Sequence, residues 1–195
     1  GQENLSISTN DHGSGWSYDA ASKTLTLNGY NGGRIEVVGN KSQNFTLKLV
    51  GNNTITAGGS AYGLTVTSED TSPYDNPDDY MDFTITGDSG ARLEVNGIEI
   101  VKRVNFIIGG SANVVSETTE RGICALKGGG TGNCSVTIQD NTNVTLRSGV
   151  EQTQNSFCLV PIMGNLTIDT TGKIMIDASS TGGSAIRLGN GNVYT

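Results

Sequence analysis

The densest chemistry in this chain of 195 residues lies between positions 69 and 82, in the segment EDTSPYDNPDDYMD. Its carboxylates sit beside Asn76, two prolines and two tyrosines. Carboxylates packed this closely, with asparagine and backbone carbonyls among them, are what a hard cation such as calcium takes, at about 6–8 oxygen ligands. Asp75, Asp78 and Asp79 are the candidate metal ligands, with Glu69, Asp70 and Asp82 flanking them. The segment is not an EF-hand loop, because the alternating ligands, the central glycine and the terminal glutamate are missing. A solvated acidic loop that holds no cation is the alternative.

Tyr62, Tyr74 and Tyr80 surround that segment. An aromatic ring at a surface offers a flat apolar face with a polar handle, on which a sugar ring stacks. These three are the candidate ligand-binding residues, against the alternative that each covers a loop or an edge. The three cysteines, Cys124, Cys134 and Cys158, have none of the spacings of zinc or redox motifs. The single histidine, His12, lies far away in the sequence, so no thiol nucleophile with its base is expected.

Composition narrows the classes further. Only 16% of residues are charged and 34% apolar, and glycine alone contributes 28 residues. Globular domains carry about 25% charge and about 45–50% apolar residues. The deficit excludes a helical bundle, a coiled coil and a Lys/Arg-rich nucleic-acid binder. A net charge of −7 is repelled by nucleic acid and by anionic membranes, so neither is an expected partner. An acidic polymer would have to be met through a cation or through hydrogen bonds. No run approaches the roughly 18 apolar residues of a transmembrane segment.

The elements that must hold these residues come from a repeat. Six segments share one template, an apolar-x-apolar strand, a Gly/Asn/Asp-rich corner and a second such strand. The second strands are expected to start at Ile35, Ile55, Leu93, Val114, Val144 and Ile174. Eight residues earlier stand Leu27, Leu47, Ile85, Phe106, Val136 and Leu166. Ten residues earlier stand Leu25, Phe45, Phe83, Val104, Cys134 and Gly164. All four phenylalanines, Phe157 included, fall on inward positions. A third strand follows in at least four segments, at Leu64-Thr65-Val66, Ile123-Cys124-Ala125, Phe157-Cys158-Leu159 and Ile186-Arg187-Leu188. In that alignment Cys124 and Cys158 share a middle position with Thr65 and Arg187, close enough for a disulfide.

Alternation of period two buries one face of each strand, and three short strands per turn of the chain predict an all-β fold. The expected architecture is a single-stranded right-handed parallel β-helix of about six coils. Residues 1–23 are expected to form a tail and N-terminal cap, with a hairpin that carries Trp16. Residues 24–195 form the β-helix, with the acidic loop inserted at 67–82.

The strings GWSYDAASKTLTLNGYNGG and FTLKLVGNNTITAGGSAYGLTV, followed by the LTI/LTV segments, resemble a family of bacterial surface proteins. These are β-helix domains of Gram-positive, gut-associated and soil bacteria, described as carbohydrate-binding-like or adhesin-like. The resemblance implies a secreted or cell-surface module whose export signal lies outside this chain. It also implies a polysaccharide or a host or matrix glycan as partner, and calcium as a cofactor for acidic glycans. End-to-end self-association or further domains in the full-length protein are expected as well.

Stacking the outward positions assembles neither the calcium-plus-base site of pectin lyases nor the aspartate cluster of the hydrolases. The expectation is therefore a non-catalytic binding or adhesion module. A purely structural stalk is the alternative, and a pectin-active enzyme ranks below both.

Overall fold

The structure, a computed structural model, describes residues 8–41, 43–70, 76–120, 122–129, 133–150, 158–178, 184–189 and 193–194. Threonine, valine and isoleucine alternate along most of these segments, and such residues fit a pleated, half-buried surface. Asp11–Gly13 (β1) and Trp16–Asp19 (β2) form an antiparallel hairpin, and β2 pairs antiparallel with Thr24–Asn28 (β3). Every other strand pairing among the described residues is parallel.

From β3 the strands come in threes. Asn31–Gly32 (β4) and Ile35–Gly39 (β5) complete the first round. The second is Asn44–Val50 (β6), Asn52–Ile55 (β7) and Leu64–Ser68 (β8). Met81–Gly87 (β9), Arg92–Val95 (β10) and Ile98–Ile100 (β11) form the third. Val104–Ile108 (β12), Asn113–Thr118 (β13) and Leu126–Gly128 (β14) form the fourth. Cys134–Asp140 (β15), Asn143–Ser148 (β16) and the long strand Cys158–Thr170 (β17) follow. Ile174–Asp177 (β18), Ser184–Gly189 (β19) and Val193–Tyr194 (β20) come last.

Successive rounds stack into three parallel ladders. The first runs β3-β6-β9-β12-β15-β17, with the hairpin at one edge. The second is a six-stranded sheet, β4-β7-β10-β13-β16-β18. The third runs β5-β8-β11-β14-β17-β19. β17 belongs to both the first and third ladders and joins them into one 14-stranded sheet. It passes from one to the other at Gly164, whose φ of 136° and 1.8 Å approach of a notional Cβ to the Cys134 carbonyl admit only glycine. The fold is thus all-β, built from long sheets of parallel strands, with no α-helix among the described residues.

The core lies between the ladders as columns of like residues. Phe45, Phe83, Phe106, Val136 and Leu166 occupy one column, and Phe83 and Phe106 stack with centroids 5.5 Å apart. Leu25, Leu47, Ile85, Ile108, Ile138 and Ile168 make the next. Cys134 is buried in the core, as expected, while Phe157 lies outside the described residues.

The register departs from the sequence-based alignment in instructive places. Phe106 pairs with Phe83, whereas the template set it beside Ile85. Ile85 precedes its second-ladder partner Leu93 by eight residues, but Ile108, Ile138 and Ile168 precede theirs by six. The Asp88–Ser89–Gly90 corner is simply two residues longer. A slip of two keeps every side chain on its face, which is why the inward set survived the wrong offset.

Ile55 is likewise displaced by two, because Asn53 stands in the column of Leu93. Asn53 is buried, and its side-chain oxygen accepts from the Tyr30 N–H at 3.0 Å. Its amide nitrogen donates to the carbonyls of Val50, Gly51 and Arg92. A polar side chain that stitches a corner looked, in the sequence, like a break in the column. Ile35 belongs to the third ladder, opposite Leu64, because the second strand of the first round is only Asn31–Gly32. Cys124 lies two residues before Leu126, the partner of Ile98, and so is not in line with Thr65.

Two variants test this core. Leu47, 1% exposed, takes an unpaired buried charge in Leu47→Asp, and loss of cooperative unfolding by circular dichroism is expected. Asn53→Ala strands the corner's backbone groups and should lower unfolding free energy by about 1–3 kcal/mol in urea titrations.

Candidate functional site

The outward face of the first ladder collects the polar side chains. Asn44, Asp82, Asn105, Ser135 and Asn165 form one column across five strands. Asn105 donates to Asp82 Oδ1 at 2.9 Å, and the Ser135 hydroxyl donates to Asn105 Oδ1 at 2.7 Å. With its amide nitrogen turned toward Asp82, Asn44 donates to Oδ2 at 3.3 Å. Beside this ridge runs a second column, Thr46, Thr84, Ile107, Thr137 and Thr167. Neighbouring strands are spaced about 4.8 Å apart, so the two columns present hydroxyls and amides at a regular repeat. Thr46, Thr84, Asn105 and Ser135 each directly precede a member of the template's set Leu47, Ile85, Phe106 and Val136, which would put them in one column. The two-residue slip puts them side by side instead.

The acidic segment borders this face. Pro77–Asp79 forms a 3-10 turn capped by Asn76, whose side chain accepts from the Asp78 N–H at 3.2 Å. Asn105 also donates to the Pro77 carbonyl at 3.4 Å, which ties the turn to the ridge. The turn holds Asp78 exposed and Asp79 half-buried, 3.8 Å from the Lys41 ammonium. At the base of the segment Arg103 pairs with Asp70 at 3.5 Å and donates to its carbonyl, joined there by Lys102. Asp75 and Tyr74 lie outside the described residues. Among the described residues no group of three or more His, Cys, Asp or Glu side chains is arranged to hold a metal ion.

The other two candidate tyrosines fall on different ladders. Tyr80 precedes first-ladder strand β9 and is 6% exposed, so its ring has almost no open face. Burial is the physical reason it fits a sugar platform poorly. Tyr62 precedes third-ladder strand β8 and is half-buried. Its ring packs over Gly97, where an added Cβ would come within 2.9 Å, and its hydroxyl accepts from the Cys124 N–H at 3.3 Å. The Lys127 ammonium, paired with Glu99 at 2.8 Å, sits 5.9 Å from the ring centroid. Tyr62 and Tyr80 therefore do not share a platform.

The cysteines are all buried free thiols. Burial pushes the Cys134 thiol up to about 12 and raises Cys124 and Cys158 as well. Burial also raises the Tyr62 phenol. Protonated thiols are poor nucleophiles, so these groups act as core residues.

No family model, no curated protein and no solved structure matches the chain. What its own residues define is an all-β protein of stacked parallel strands with one regular polar face.

The raised thiols carry a pH consequence. Cys134 binds its proton more tightly when folded, so its contribution is fully present below the unfolded value near 9.0 and is lost as pH rises toward about 12; Cys124 and Cys158 shift in the same direction. Urea titrations from pH 7 to 11 should show stability falling above about pH 9, less steeply in Cys134→Ala.

Proposed function

We propose that the chain is a right-handed parallel β-helix serving as a non-catalytic, secreted or cell-surface module that binds carbohydrate, with adhesion as its role. The observation that carries the reading is the hydrogen-bonded ridge of Asn44, Asp82, Asn105 and Ser135 beside the threonine column. The hydroxyls and amides of this face, with the Asp82 carboxylate held among them by Asn44 and Asn105, stand at a strand-to-strand repeat that suits the hydroxyl-rich edge of an extended polysaccharide. The two columns run side by side over β6, β9, β12, β15 and β17, with Ile107 interrupting the threonines, so a long polymer is a better fit than a small sugar. An acidic glycan would meet a chain of net charge −7 through a cation. Asp78 and Asp79, with Asp75, are the carboxylates that calcium would use there. Tyr62 and Tyr74 are the aromatic residues left for stacking.

A structural stalk is the second reading, and a specific observation favours it. The ridge side chains largely satisfy one another, as a scaffold surface requires and a binding surface does not. Cleavage of pectin ranks third.

A glycan array run with calcium and with chelator separates these readings. Binding of the wild type, lost in Asn105→Leu/Ser135→Leu, is the expected result. Loss with chelator and with Asp78→Ala/Asp79→Ala assigns the cation to the acidic turn. Absence of binding to every glycan supports the stalk. Release of reducing ends or unsaturated products from pectin makes the protein an enzyme.

A further inference from the structure

The two columns on the outward face of the first ladder differ in what their side chains have left to offer. The ridge of Asn44, Asp82, Asn105 and Ser135 bonds largely within itself. The hydroxyls of Thr46, Thr84, Thr137 and Thr167 have no hydrogen-bond partner among the described residues. These threonines also lie lower than their flanks. Thr46 is half-buried between exposed Asn44 and Lys48, and Thr167 is half-buried between exposed Asn165 and Asp169. The column is thus the floor of a shallow trough that crosses β6, β9, β12, β15 and β17.

We propose, resting on the carbohydrate-binding reading, that this floor holds a neutral β-1,4-linked glycan lying across the strands, along the stacking direction of the ladder. Equatorial links keep such a chain a straight ribbon that advances about 5 Å per sugar, close to the spacing of about 4.8 Å between strands. Each sugar then brings an edge hydroxyl to one strand. An α-1,4-linked glucan coils and leaves a straight line of threonines after a few sugars. Charge selects a neutral chain, because the walls of the trough carry the carboxylates of Asp82 and Asp169 against the ammonium of Lys48. A polyanion is repelled by that balance.

Ile107 divides the floor into two threonine pairs, Thr46 with Thr84 and Thr137 with Thr167. A chain bonded to the first pair must cross Ile107 before it reaches the second. At one sugar per strand, three sugars reach one pair and five reach both. Affinity should therefore climb steeply between those two lengths.

Titration calorimetry with β-1,4-linked glucose trimer and pentamer, in the presence of chelator, tests the assignment. Valine keeps the branched shape of threonine, so Thr46→Val/Thr84→Val and Thr137→Val/Thr167→Val should both be folded by circular dichroism. The wild type should bind the pentamer about tenfold more tightly than the trimer, through two further hydrogen bonds. Either variant should lose that tenfold for the pentamer and leave the trimer nearly unchanged, since the trimer moves to the intact pair. The quadruple variant should bind neither. Glycan binding that is unchanged in both variants, equal for the two lengths, lost in chelator or shared by an α-1,4-linked pentamer overturns this inference and leaves the carbohydrate-binding reading standing. No binding to any glycan overturns both.

Discussion

In-register parallel pairing sets each side chain of this protein directly against the one a strand away, and the remaining features depend on that alignment. Because successive residues alternate faces, a column is either wholly inward or wholly outward. Inward columns then demand apolar residues of similar bulk, as in the phenylalanine column that ends in Val136 and Leu166. Outward columns repeat polar groups at the strand spacing. The abundance of threonine follows from this, as does the low apolar fraction, since half of each strand faces away from the core.

Corners are where the alignment is corrected. The ladders are separated by connections of unequal length. Some of the peptide groups within them bond to the round before, as the Ser111 N–H does to the Gly87 carbonyl at 2.9 Å, and buried polar side chains serve others. Asn53 bridges four backbone groups across three rounds. Asn96 donates to the Ala57 carbonyl and accepts from the Thr119 N–H. The Ser116 hydroxyl donates to the Ala125 carbonyl at 2.6 Å. Burying such groups is costly unless they are bonded, so each stitch holds its corner in one geometry and thereby holds the register of the strands on either side.

The acidic segment is treated differently at its two ends. Asp70, close to β8, is held by Arg103 and Lys102 in a largely buried cluster. Asp82, on β9, is absorbed into the ridge by Asn105 and Asn44. The carboxylates on the 3-10 turn are the ones left toward solvent, with Asp79 near Lys41. Charge that anchors the insertion and charge that is available to a ligand are thus separated along a short stretch of chain. The sequence showed only an acidic cluster. The basic residues that divide it come from elsewhere, Lys102 and Arg103 from the start of the fourth round and Lys41 from the second.

Alternation and repetition were legible in the residues themselves. The all-β class, the parallel stacking of strands, the hairpin at Trp16 and the inward positions of Leu47, Phe83 and Val144 all follow from period two, which is a local property of the chain. Exact partners were not legible. Pairing Phe106 with Phe83, moving Ile35 to the third ladder and placing Asn53 in an apolar column each required knowing how many residues a corner consumes. Burial of Tyr80 and separation of Tyr62 from it had no sequence signal either. A strand's face is set by its own alternation, but its neighbours are set by corner length and by side chains arriving from distant rounds, which only the folded chain brings together.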